Sequence, residues 1–235
     1  MAKLIEYPEL RDARFVFRDR AEGGRTLATL LERFRRGTAV VLGIPSGGVP
    51  VGLVVAEELE LPFDVVIARK IPLPAEPEAG FGAVSAEGDA VFNELMMPYW
   101  GIGPGEAAAL AERTRQEVVR RERLFRGARP FPELAGKAAI VVDDGLASGF
   151  TALACLAQAR RRRPSLLALA VPTASTSAIE RVSGAADEIY CPNVRGGRFF
   201  AVAEAYRNWR DLSEEEVLAL LAKRLPDVGT RPQIP

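Results

Sequence analysis

The chain has 235 residues, of which 48% are apolar, 26% charged and 7% aromatic, the balance of an ordinary globular protein rather than of a disordered or fibrous one. Lys and Arg together number 31 and Asp and Glu 31, so no global charge recruits nucleic acid or an anionic membrane surface, and any anion site must be local. Histidine is absent, which excludes imidazole as general base, as metal ligand and as partner of a serine or cysteine nucleophile.

The opening residues MAKLIEYPELRDARF lack the apolar stretch of about 7–15 residues that a secretory signal requires. No later window approaches the ~18 apolar residues needed to cross a bilayer, so a cytoplasmic location with no membrane partner is expected. Cys155 and Cys191 share no metal-ligand spacing and read as reduced core residues. The length suits one α/β domain over 1–235 with an inserted lobe.

Taken in order, Arg18 to Arg36 places Leu27, Leu30, Leu31 and Phe34 at helical spacing with charges between them, an outer helix. Thr38 to Gly43 (TAVVLG) is a β-branched run ended by glycine, followed by IPSGGVP and an apolar helix through Leu59. Phe63 to Arg69 (FDVVIAR) has the continuous apolar middle of a strand covered on both faces. From Ile71 to Gly103 prolines and glycines surround short apolar pieces that suit a hairpin, and Glu106 to Arg126 is rich in strong helix formers and charges, a surface helix with a solvated face. This stretch, about 71–127, is read as an inserted flap.

Ala138 to Val142 (AAIVV) is the third strand, Thr151 to Arg162 a helix whose basic end complements the helix dipole, and Leu166 to Val171 the fourth strand. Thr176 to Val182 is a short helix and Asp187 to Cys191 the fifth strand. Strands alternating with helices imply an open parallel sheet, here of five strands, flanked by helices. Ser213 with Glu216 forms a capping box for a C-terminal helix carrying Val217, Leu218, Leu221 and Leu225. Residues 229–235 read as a disordered tail.

The third strand ends in Val142-Asp143-Asp144-Gly145-Leu146-Ala147-Ser148-Gly149-Phe150-Thr151. Ligands bind at such carboxyl ends of strands in open α/β sheets. Consecutive N–H groups of the turn and the positive end of the next helix make a phosphate receptor without a lysine, and Ser148 and Thr151 add hydroxyls. A helix cap accounts for one acid but not for two adjacent ones, whose repulsion favours a bound cation or a polyhydroxyl ligand.

An apolar run, Asp-Asp, linking residues and Gly-x-Thr resemble the phosphoribosyl pyrophosphate (PRPP) motif of type I phosphoribosyltransferases. The resemblance implies that Asp143 and Asp144 are catalytic and hold the ribose hydroxyls, directly or through Mg²⁺, and that Ala147, Ser148, Gly149, Phe150 and Thr151 wrap the 5′-phosphate. Gly43 to Pro50 resembles the family's pyrophosphate loop, which assigns Ser46, Gly47 and Gly48 to the pyrophosphate and places any strained peptide at Ser46. Arg69 and Lys70, before the flap, are in the place of the family's pyrophosphate-reaching cations. The segment Arg198-Phe199-Phe200-Ala201-Val202 resembles the base-side loop, with Phe199 and Phe200 as the stacking candidates. Two departures stand out: Ala147 occurs where purine-salvage members carry an acid, and Gly47 where orotate-using members carry a lysine.

The reaction so implied transfers the 5-phosphoribosyl group from PRPP to a nitrogenous base or amine, with release of pyrophosphate and with Mg²⁺ as cofactor. The partners are then PRPP and a small acceptor, with a homo-oligomer permitted. A P-loop (Gly-x-x-x-x-Gly-Lys-Ser/Thr) and a dinucleotide fingerprint (Gly-x-Gly-x-x-Gly) are both missing from the sequence. The alternative of another class is a non-catalytic PRPP sensor that uses the flap to contact a partner.

Overall fold

The computed structural model describes residues 1–74, 76, 80–88, 90–197 and 199–225. Its centre is a parallel sheet of β1 (Lys3–Ile5), β2 (Ala39–Gly43), β3 (Phe63–Val65), β7 (Ala138–Val142), β8 (Leu166–Ala170) and β10 (Glu188–Tyr190), in the order β1-β10-β8-β7-β2-β3. Each neighbouring pair runs parallel, with Gly43 opposite Val142 and Val142 opposite Ala170.

The alternation of side chains along these strands decides the layering. Val41, Ile140, Val142, Ala168 and Ala170 point to one face, where α1 (Arg20–Leu30), α2 (Gly48–Glu58) and α6 (Glu214–Ala222) pack. Val40, Leu42, Ala139, Val141, Leu167 and Leu169 point to the other, covered by α4 (Phe150–Arg161) and α5 (Thr176–Val182). A sheet buried on both faces needs the continuous apolar runs that the sequence supplies. Both cysteines are free and buried, and burial raises each thiol above its ordinary pKa, as inert core residues require.

Three features differ from expectation. The sheet has six strands, not five: the extra one, Lys3–Ile5, extends the edge beside β10, and at three residues it is too short to show a period in sequence. The strand expected over Phe63 to Arg69 divides at Val66 and Ile67 into β3 and β4 (Ala68–Pro72). The latter pairs antiparallel with β5 (Gly80–Ser85), which pairs with β6 (Ala90–Phe92), in a separate three-stranded sheet. Finally, the charged helix is only partly solvated. It forms α3 (Pro104–Arg126), and Arg121 and Arg126 on its inner side are 9% and 2% exposed. Arg126 reaches the Val65 carbonyl at 3.1 Å and Asp64 at 3.5 Å, so its charge is compensated inside.

Beyond β8 and β10, Pro172 and Pro192 interrupt the ladder because proline has no N–H to donate. The chain then resumes as the short parallel pair β9 (Thr173–Ser175) and β11 (Asn193–Arg195). Among the described residues no helix is long and apolar enough to cross a membrane, and the tail 229–235 lies outside them.

Candidate active site

Because β2 and β7 are neighbours in register, their C-terminal loops emerge side by side. The Ile44 N–H donates to the Val142 carbonyl at 2.8 Å, and the Gly48 N–H to the Ile44 carbonyl at 2.9 Å. The Pro45–Ser46 peptide is cis, at the residue expected to carry the loop's unusual geometry. Here glycine is a steric requirement: a Cβ on Gly47 would lie 1.8 Å from Asp144 Oδ2, and one on Gly48 would lie 2.4 Å from the Val142 carbonyl oxygen. The Ser46–Gly48 loop and the acid pair therefore form one site.

Asp143 accepts a hydrogen bond from the Asp144 N–H at 2.9 Å. Burial and the adjacent Asp144 charge push the Asp143 carboxyl well above its ordinary pKa. Asp144 is also raised by burial, against the pull of Arg20, whose Nε donates to Asp144 Oδ2 at 2.8 Å. Asp144 is thus paired with a cation, whereas Asp143 is not paired among the described residues.

Arg20 is held firmly. Its guanidinium lies 4.0 Å from the centre of the Trp209 ring, and Nη1 donates to the Arg210 carbonyl at 2.8 Å. Trp209 packs at 5.2 Å on Tyr206, whose hydroxyl donates to the Asp144 carbonyl. Arg20, Trp209, Pro50, Asn208 and Leu212 line a cleft of about 530 Å³ beside the acid pair. Sequence reading missed Arg20, Tyr206 and Trp209; their contacts join segments more than sixty residues apart, for which no local pattern exists.

The turn after the acids is fixed by its carbonyl groups. Ser175 Oγ donates to the Ala147 carbonyl at 2.9 Å, and Arg181 donates to that of Ser148. Gly149 has φ +82°, a left-handed conformation suited to glycine, immediately before α4. Among the described residues none of the N–H groups of Ala147, Ser148, Gly149, Phe150 and Thr151 meets a protein acceptor. Five unused donors at a helix N-terminus can receive an anion. Ala147 and Ser148 are exposed, Thr151 half-buried, and Phe150 buried beneath Arg181, 4.9 Å from its ring.

The remaining candidates divide. Arg69 is turned toward α3, 3.9 Å from Glu117. The stem of Lys70, on the opposite face of β4, covers Gly80. Phe199 is 86% exposed, and Phe200 is half-buried with the Arg195 guanidinium 5.1 Å from its ring; Arg198 lies outside the described residues. The segment meets the acid pair through Val202, which occupies the space a Cβ on Gly145 would need, and through Tyr206.

The description "Phosphoribosyl transferase domain" matches residues 20–203. The chain belongs to the phosphoribosyltransferase family. This pentosyltransferase family includes two Mycobacterium tuberculosis proteins, of strains CDC 1551 and H37Rv, each named "Putative phosphoribosyl transferase" and each 38% identical over 206 residues. That match takes in 88% of this chain and 46% of theirs, so the chain spans about half the length of these curated relatives. In structure it is similar to the TT1426 protein of Thermus thermophilus, with a TM-score of 0.72 and 34% identity over 88% of this chain and 98% of that one.

Proposed function

We propose that the protein is a cytoplasmic phosphoribosyltransferase that binds PRPP and passes its 5-phosphoribosyl group to a nitrogenous base or amine, with magnesium as cofactor. The observation that carries this reading is the meeting of three elements at one edge of the sheet: an acid pair, a glycine loop too tight for side chains, and a turn with five unused N–H groups. These match the hydroxyls, the pyrophosphate and the 5′-phosphate of one molecule.

The 147–151 turn would hold the 5′-phosphate and fix the sugar. Asp143 and Asp144 would accept hydrogen bonds from the ribose hydroxyls, and Arg20 keeps Asp144 oriented. At C1 the bond to pyrophosphate breaks as the acceptor nitrogen forms its own, through a transition state of oxocarbenium character. The chain contributes chiefly positioning and charge stabilisation, which requires no histidine.

The site suits magnesium. Asp143 carries a carboxylate without a cationic partner, its pKa raised by burial and by Asp144, a combination that a divalent ion relieves. Among the described residues no group of three or more ligand side chains surrounds a metal position, so the ion's other ligands would be substrate oxygens and water. Bound there, magnesium would neutralise the departing pyrophosphate.

The test is calorimetry of PRPP with and without Mg²⁺, on the wild type and on Asp143→Ala/Asp144→Ala, followed by a panel of bases and amines scored by pyrophosphate release. Mg²⁺-dependent binding that the double variant loses, with release for one acceptor, is expected. Binding without release for any acceptor would favour a PRPP sensor, and absence of binding would refute the reading.

A further inference from the structure

Arg121 stands apart from the other charges of α3. Most arginines of that helix reach solvent or a neighbouring acid one turn away, whereas Arg121 turns inward and Nη2 donates to Ser46 Oγ at 3.1 Å. Its Nε is buried and makes no hydrogen bond of good geometry, although Glu214 Oε1 lies 3.1 Å away. At 9% exposure, this guanidinium lies with Nη2 on the loop formed by Ser46, Gly47 and Gly48 and with its unsatisfied Nε toward Glu214.

The charges around it are unbalanced. Glu214, the first residue of α6, receives both terminal nitrogens of Arg120 at 3.0 and 2.8 Å and also faces Arg121. Arg69 contributes further positive charge, and its repulsion, after burial, lowers the pKa of Arg121. Three guanidinium groups, those of Arg69, Arg120 and Arg121, thus share two carboxylates, Glu117 and Glu214, near the N-terminal end of α2, an arrangement that has room for more negative charge.

Building on the phosphoribosyltransferase reading, we infer that Arg121 is a ligand of the pyrophosphate group, binding it above Ser46, and that Glu214 is the internal anion from which Arg121 is drawn when pyrophosphate arrives. The loop cannot supply this cation itself, because a Cβ on Gly47 or Gly48 has no space. The charge has to come from outside those two glycines, and among the described residues Arg121 is the arginine hydrogen-bonded to the loop. Its guanidinium can grip two phosphate oxygens at once, and its partial release from Glu214 lets the C-terminal helix compete with the leaving group.

The test titrates inorganic pyrophosphate and, separately, ribose 5-phosphate, both with Mg²⁺, into the wild type, Arg121→Gln and Glu214→Gln. Arg121→Gln is expected to weaken pyrophosphate binding about tenfold or more and to leave ribose 5-phosphate within about twofold. Glu214→Gln is expected to strengthen pyrophosphate binding several-fold by removing the internal competitor. A purely structural role for the Glu214 pair predicts the opposite sign, because loosening α6 weakens binding. Unchanged pyrophosphate affinity in Arg121→Gln, or weakened affinity in Glu214→Gln, overturns the inference. Wild-type binding of ribose 5-phosphate without pyrophosphate overturns it while leaving the phosphoribosyl reading intact, and binding of neither probe removes both. Should Arg121→Gln fail to fold, Glu214→Gln decides alone.

Discussion

Two regions flank the Ser46 loop and are built on different principles. At the edge of the parallel sheet, Asp143 to Thr151 is one unbroken segment running from the end of β7 into the first turn of α4. On the other side, the lobe made by β4, β5, β6 and α3 contributes through side chains that converge from distant positions: Arg121 meets Ser46 across 75 residues, and Glu214 meets Arg120 across 94. The first region presents backbone donors, which side-chain truncation leaves in place. The second presents long side chains, each of which one substitution removes.

The contrast can be tested, beginning with the contact that most complicates it. Arg20 serves the contiguous segment from 124 residues away, and its side chain and that of Asp144 are 11% and 14% exposed. Arg20→Ala strands a buried carboxylate and is expected to cost about 3 kcal/mol or more in urea denaturation, and adding Asp144→Ala should recover much of that loss. If the single variant costs nothing, the sheet edge is as self-sufficient as its sequence suggests. Next, Gly48→Ala presses a methyl group on the Val142 carbonyl and the Asp143 Cα and should cost about 1–3 kcal/mol. By contrast Gly105→Ala, in the first turn of α3 with nothing within 4 Å of the new Cβ, should stabilise by about 0.4–1 kcal/mol. Equal responses at the two glycines would erase the distinction between a fixed edge and a tolerant lobe.

The smallest effect concerns α6. Arg210 and the Ser213 N–H hold the exposed Glu216 carboxyl down at about 2. A depressed carboxylate stabilises above its unfolded pKa of about 4.3 and loses that contribution as pH falls toward the folded value. The capping box should therefore persist at neutral pH and fray between about pH 4 and pH 2, visible as faster amide exchange in the first turn of α6. In Glu216→Gln the pH step should shrink to what Glu214 and Glu215, whose carboxyls are also held below the ordinary range, contribute.

Legibility in the sequence follows the same division. Ala138 to Val142 and Thr176 to Val182 coincide with their elements end to end, because an apolar run between punctuating residues has few other conformations open to it. The Ser213 and Glu216 pair forms the reciprocal cap its spacing predicts. The acid pair and the turn that follows it are legible as one segment because they are written in neighbouring residues. Lys3–Ile5 was not, since three residues carry no period and the strand exists only where β10 offers an edge. Arg121 and Arg126 were read as solvated because charge on a helix ordinarily faces water; only the packing of β3 and of the Ser46 loop reveals that these two do not. Arg20 lies at the start of a helix that reads as an outer one, and its long-range pairing with Asp144 has no signature at all.

The closeness of Gly47 to Asp144 also shapes how such a site can change over generations. A side chain at position 47 would begin 1.8 Å from a carboxylate oxygen, so the loop and the acids can diverge only together, through simultaneous shifts of two strand ends. Helices α3 and α6 have no such restriction, and neither has the aromatic cleft around Trp209. On the phosphoribosyl-transfer reading, variation in acceptor preference is therefore expected to accumulate in those helices and that cleft, and a mutational library aimed at new acceptors should leave 46–48 and 143–144 untouched.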